Sequence, residues 1–162
     1  MSECEPTEVC IREATLYDVE GIRHLVYLLR AFEYESGFNA DIDPEWAFSQ
    51  AATDRIVGSI TDGTCISLVA ACDDHIVGFL VGSTRDAKGD AAGALDGMLV
   101  LPQYRRQGIG TSLIARFLDW TRQKGLRRVT VAVAPANDPA IALYKRMGFR
   151  EQTLILERRD EI

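Results

Sequence analysis

Histidine is scarce in this chain. Its two histidines, His24 and His75, do not stand at metal-ligand spacing from any cysteine, and the four cysteines, Cys4, Cys10, Cys65 and Cys72, form no CxxC pair. That set gives little support to zinc ligation, and no metal is expected. Basic charge is also short, with 18 Lys and Arg against 24 Asp and Glu for a net of −6. A main partner that was nucleic acid or an anionic membrane would call for the opposite excess. No apolar run approaches the ~20 residues that span a bilayer. The acidic start MSECEPTE lacks the basic and apolar regions of a signal peptide. The expectation is a cytoplasmic protein with free thiols, no nucleic-acid partner and no membrane. What the chain does have is a globular composition, 47% hydrophobic and 26% charged, in 162 residues. That length fits one domain over 1–162 with a sizeable core.

Hydrophobic periodicity divides the chain into alternating elements. Val9 and Ile11 alternate with polar residues between Glu8 and Ala14, which predicts a strand. Leu16, Val19, Ile22, Val26 and Leu29 then recur at intervals of three or four, a helix capped by Thr15 or Asp18 that leaves at Gly37 and Asn39. Asp43 followed by Pro44 predicts a second helix, with Trp46, Phe48, Ala52, Ile56 and Ile60 on its packed face and an exit at residues 62–64. Residues 65–72 and 76–84 read as an antiparallel hairpin, 85–93 as an exposed polar loop, and 93–101 as another strand. A helix follows from Ile109, with Leu113, Ile114, Phe117, Leu118 and Thr121 on one face and Gly125 as its end. Val129, Val131 and Val133 make a strand, Asp138 and Pro139 open a helix stopped by Gly148, and residues from Phe149 supply a last strand or hairpin. The order β-α-α-β-β-β-α-β-α-β describes an α/β chain with a mixed sheet and helices packed on it.

The first informative stretch is RRQGIGT, Arg105, Arg106, Gln107, Gly108, Ile109, Gly110 and Thr111, between a predicted strand and an amphipathic helix. A helix start offers unpaired N–H groups and the positive end of a dipole, and two glycines let backbone approach an anion such as pyrophosphate. The two arginines add charge-assisted donors. Tight packing at a crossover would use the same residues. A phosphate loop of the Walker type needs Lys and Ser or Thr after its last glycine, and a dinucleotide fingerprint needs a third small residue where Leu113 stands, so neither fits.

The second stretch is NDPAIALYKRMGF, from Asn137 to Phe149. Asn137 and Tyr144 are about two helical turns apart, roughly 10 Å, which puts them on one edge of a helix. A cap residue and a core aromatic would also explain them.

Together these stretches resemble the GNAT (Gcn5-related N-acetyltransferase) superfamily. RRQGIG matches the family's coenzyme A signature Q/RxxGxG/A at Arg105, Gly108 and Gly110, with Val100 and Pro102 at the familiar spacing before it. Asn137, Ala140, Leu143, Tyr144, Gly148 and Phe149 match a second signature, NxxAxxLYxxxGF. The resemblance covers residues 95–150 clearly. It implies a single N-acetyltransferase domain with a splayed central sheet, acetyl-CoA as donor and an amine acceptor, and it admits a homodimer. It further implies that the backbone around Gln107 to Thr111, Ile109 included, holds the pyrophosphate with Arg105 and Arg106 nearby. Met98, Leu99 and Val100 would pair with pantetheine like a neighbouring strand, beside a bulge that opens a V-shaped slot. Asn137 would hydrogen-bond the pantetheine arm, and Tyr144 would sit near the sulfur.

Proton bookkeeping then frames the chemistry. A primary amine is protonated at neutral pH and must lose a proton before it attacks a thioester, while the departing thiolate, with a reference pKa of about 8.5, gains from a donor. Tyr144 is the donor expected from the resemblance, with direct transfer in a ternary complex. Some relatives carry a glutamate five positions before the motif asparagine, where this chain has Ala132. Asp96, with the parity of Met98 and Val100, is the remaining carboxylate for the base, and solvent water is its competitor. Glu33, Glu35, Asp41, Asp43 and Glu45 gather in the half expected to meet the acceptor, as a wall for a cationic amine or as a solvated face. A non-catalytic acyl-CoA-binding or sensing module is the rival reading.

Overall fold

The computed structural model describes residues 8–38, 41–87 and 90–158. Five strands form one sheet in sequence order: β1 (Cys10–Glu13), β2 (Cys65–Cys72), β3 (His75–Ala87), β4 (Asp90–Val100) and β5 (Arg128–Val131). The first four pair antiparallel and β5 runs parallel to β4. Helices α1 (Val19–Glu35) and α2 (Gln50–Thr61) cover one face, and α3 (Ile109–Gln123) covers the other, with α4 (Asp138–Arg146) beside it.

The apolar stripes foreseen for the helices decide this layering. Ile22 and Leu25 of α1 and Ile56 of α2 meet Val69 and Phe79 in one core. Leu113, Ile114 and Phe117 of α3 meet Leu68 and Leu80 in the other. Full burial of each such side chain contributes about 1.5–3 kcal/mol. Helix α3 lies close on the sheet because β3 and β4 offer glycines: a Cβ at Gly82 would stand 2.3 Å from a Phe117 ring carbon.

Asp18 fixes where α1 begins. Its carboxylate accepts from the Thr15 backbone N–H at 2.7 Å and from the Arg12 guanidinium at 2.7 and 2.8 Å, tying β1 to the helix start. These donors hold its pKa down at about 2, with Arg12 the largest cause.

Several expectations needed correction. The second helix is interrupted: Pro44–Phe48 forms a separate 3-10 turn, capped by Asp43 as expected, and Ser49 then caps α2 by accepting from Ala52 N–H at 3.1 Å. The expected loop at 85–93 is largely strand, since Arg85 pairs with Ala92 and Thr84 with Gly93. Small residues there let β4 run between its neighbours. Lys88 and Gly89, which fell within that expected loop, and Asn39, expected at the helix exit, lie outside the described residues. Helix α4 starts one residue earlier than expected, with Asn137 as its cap. No final strand forms among the described residues. After the left-handed turn at Gly148, Glu151 pairs with Lys145 of α4 at 2.6 Å, and Leu154, Ile155 and Leu156 stand 77–85% exposed.

Candidate active site

A break in the sheet makes the site. Along β3 and β4, Val81 pairs with Gly97 but Gly82 pairs with Leu95, so Asp96 is the extra residue of a bulge. The β4–β5 ladder ends at the same level, Leu95 with Val131. Beyond it, residues 96–100 and 132–134 diverge. A pocket of about 110 Å³ opens there, walled by Asp96 and Met98 on one strand, Ala132 beyond the other, Asn137 and Tyr144 from the α4 side, and Leu29, Phe32, Glu33 and Phe38 from the α1 side. Asp96 and Met98 of β4 meet Asn137 and Tyr144 of the α4 side around this pocket, two pairs that lie far apart in sequence.

The bulge also overturns the parity argument for Asp96. One extra residue shifts the alternation. Leu95 and Met98 pack into the α3 core, whereas the carboxylate of Asp96 accepts from Ser83 Oγ and from Arg85, each at 2.5 Å, on the α1 face. Asp96 thus lines the pocket with its charge already paired.

Tyr144 is buried against Phe149, their rings edge to face at 5.6 Å. Burial pushes its pKa up to about 12, so the hydroxyl stays protonated at any ordinary pH. Asn137 accepts from Ala140 N–H at 3.3 Å through Oδ1, which caps α4 and leaves its NH₂ without a protein partner among the described residues. Cap and ligand-donor roles can therefore coexist in one side chain.

The turn before α3 is strained where an anion would sit. Arg106 and Gly108 both have left-handed φ, 62° and 81°. A non-glycine residue in that region costs about 1–2 kcal/mol, and such turns let successive N–H groups converge on an anion. Nothing lies within 4 Å of a Cβ placed on Gly108, whereas one on Gly110 would meet Leu143 at 3.1 Å. Gly108 keeps space open, and Gly110 serves the packing of α3 on α4. Gln107, Gly108 and Ser112 border a second concavity of about 220 Å³ with Val9, just before β1, and Ile11 within it. Thr111 is exposed at the first turn of α3, while the Ile109 side chain is buried in the core.

Met98 and Val100 pack toward α3 and Leu99 toward α1, while Met98 also lines the pocket, so the backbone of this stretch could run beside a ligand. The Val100 carbonyl accepts from Arg105 Nε at 2.8 Å, which leaves its second lone pair for a ligand.

Sequence reasoning missed Ser83 and Arg85 as partners of Asp96. Leu29, Phe32 and Glu33 carried the i, i+3, i+4 signal of one helix face, but not that this face leaves the core at its last turn. Of the five acidic residues grouped in the sequence, only Glu33 lines the pocket. Asp43 caps the 3-10 turn, and Glu35, Asp41 and Glu45 are exposed.

Comparisons with known proteins identify the family and the fold. The model of the acetyltransferase (GNAT) family matches residues 25–149, more than half of the chain. A probable N-acetyltransferase, camello, of Xenopus laevis is 33% identical over 97 residues, 60% of this chain and 43% of that protein. The [ribosomal protein bS18]-alanine N-acetyltransferase of Escherichia coli K12 is 38% identical over 53 residues, 33% of this chain and 36% of the enzyme. Each match thus spans less than half the length of the relative. Among solved structures, an aminoglycoside 6'-N-acetyltransferase, AAC(6')-Iy, in complex with a CoA-S-monomethyl-acetylneamine bisubstrate analogue superposes with a TM-score of 0.72 at 23% identity, covering 96% of this chain and 99% of that one. The split sheet, the left-handed turn before α3 and the buried tyrosine beyond it are found in a chain that belongs to the acetyltransferase (GNAT) family.

Proposed function

We infer that this protein transfers an acetyl group from acetyl-CoA to a primary amine, directly and within a ternary complex. The carrying observation is the divergence of β4 and β5 at the Asp96 bulge beside Tyr144, whose hydroxyl remains protonated. Such a gap accepts an extended thioester arm edge-on, as a strand accepts a neighbour. Backbone of Met98 to Val100 supports the amides of pantetheine, and the NH₂ of Asn137 adds a donor. The turn from Arg105 to Thr111 supplies the N–H groups, dipole and two guanidiniums for the pyrophosphate.

In the reaction the amine nitrogen attacks the carbonyl carbon, the C–N bond forms and the C–S bond breaks. Tyr144 gives its proton to the departing sulfur. A backbone N–H of β4 stabilises the oxygen of the tetrahedral intermediate. The coenzyme A group held by the aminoglycoside enzyme of the same fold supports the choice of donor.

Thiol release from acetyl-CoA, followed across a panel of small amines and peptides, tests this reading. Amine-dependent release is expected. Tight acetyl-CoA binding with no release to any amine would favour a non-catalytic acyl-CoA module instead, for which the missing acid at Ala132 is the one supporting feature.

A further inference from the structure

The mechanism above leaves one proton unplaced, the one an ammonium must lose before its nitrogen can attack. Asp96 is ill-suited to take it, because both of its oxygens are engaged, one by Ser83 and one by Arg85. Glu33 differs. It enters the same pocket from the last turn of α1, and among the described residues its carboxylate has neither a hydrogen bond nor an ion pair. Its neighbours in the wall are Leu29, Phe32 and Phe38, with 44% and 40% of the two aromatic residues still exposed. The gap between β4 and β5 joins the two faces of the sheet, so Glu33 and Tyr144 approach it from opposite sides.

We propose that Glu33 binds the ammonium group of the acceptor and takes its proton, and that the acceptor is a primary amine carrying one positive charge on an apolar body. The proposal rests on the acetyl-transfer reading above. One unpaired carboxylate set among apolar side chains balances one cation and leaves nothing to offset the desolvation of further charges. A polycationic acceptor would need further unpaired acids, and among the described residues the pocket's other acid, Asp96, is paired with Arg85 while the other four of the sequence group lie outside it.

Half-burial raises the Glu33 pKa, with Arg30 opposing the shift. That direction improves a general base, whose efficiency grows as its pKa nears the working pH. Among the described residues, the other titratable groups of the pocket wall are Asp96 and Tyr144, and Arg30 acts on Glu33 from nearby. Arg30, on its own helix, lies over the Trp46 ring at 4.6 Å and donates to the Asp43 carbonyl at 3.0 Å. Asp96 from β4 is neutralised by Arg85, and Tyr144 from α4 is uncharged below about 12.

Protons balance along this route. Glu33 takes the first from the ammonium, Tyr144 gives one to sulfur, and the second nitrogen proton restores Tyr144 through water. Protonated Glu33 then releases its proton to solvent, so each turnover yields the amide, the free thiol and one proton.

The test compares the full chain with its Glu33→Gln variant, using 2-phenylethylamine and the polycation spermidine. Thiol release is followed against pH, and amine binding is measured calorimetrically with coenzyme A present. For the wild type, kcat/KM should favour 2-phenylethylamine. In Glu33→Gln it should fall on the order of 100-fold, the acidic limb should lose its Glu33 inflection, and raised pH should restore part of the rate. Coenzyme A affinity and the melting temperature should stay unchanged. Wild-type kcat/KM and an unaltered pH profile in the variant, with normal transfer by the parent, would overturn this inference alone. A preference for spermidine would overturn the acceptor class. A parent that holds coenzyme A but neither acetylates nor binds either amine would overturn the transfer reading and this one with it.

Discussion

Burial holds the Tyr144 hydroxyl protonated up to a pKa of about 12, and in that state it can give a proton to sulfur but not take one from nitrogen. Replacing it by Phe keeps the ring against Phe149 and removes only the donor. Tyr144→Phe should therefore lower kcat by about 10²–10⁴-fold and leave the dissociation constant for coenzyme A almost unaltered, as steady-state kinetics and calorimetry will read. An unchanged kcat would remove Tyr144 as the acid, provided chemistry limits the rate. Asp96 gives the contrasting case. Its pairing with Arg85, a side chain 67% exposed, is screened by solvent, so Asp96→Asn should cost about 1 kcal/mol or less in unfolding free energy. It should leave the acidic limb of the rate profile in place. Loss of that limb would return the base to Asp96.

At the turn before α3, two glycines two positions apart in one motif do different work, and substitution separates them. Gly108 has φ 81° and open space before it. Gly108→Val should cost about 1–2 kcal/mol of stability and weaken acetyl-CoA binding much more than that strain alone would, because the side chain fills the space left for phosphate. Gly110→Ala presses on Leu143 instead, so it should lower the melting temperature with little effect on coenzyme affinity. Equal effects of both on affinity would contradict the division. The junction of β1 and α1 carries a pH dependence of known sign. Asp18 falls from its usual 3.8 to about 2 when folded, so its contribution is present above about pH 4 and lost as pH drops toward 2. Allowing for Arg12, whose side chain is 41% exposed, it amounts to about 1–2 kcal/mol. Denaturant unfolding of the wild type should weaken across that window, and Asp18→Asn should flatten the decline.

Over the whole molecule, what was legible in the sequence depended on local chemistry. Arg105 to Thr111 and Asn137 to Phe149 could be read because a helix start, a cap and a left-handed glycine need particular residue types at fixed spacing. The helix faces were legible for the same reason. The bulge at Asp96 was not, because it is a mismatch of register between β3 and β4 and no single strand records it. Its parity consequence was lost with it. Glu33 could not be told from Glu35, Asp41, Asp43 and Glu45, since which acid enters a pocket depends on where α1 ends relative to the sheet. Leu154 to Leu156 have the composition of a strand, yet strand propensity needs a partner edge to act on, and the chain turns back toward α4 instead.

The central claim is that the gap opened at Asp96 holds acetyl-CoA with its thioester between Glu33 and Tyr144. A crystal structure of the protein with a non-reactive acetyl-CoA analogue tests it most directly. The account predicts pantetheine along residues 98–100, pyrophosphate at residues 107–111, and sulfur within about 3.5 Å of the Tyr144 hydroxyl. An analogue bound elsewhere, or one whose sulfur lies outside the gap and away from Tyr144, would contradict it.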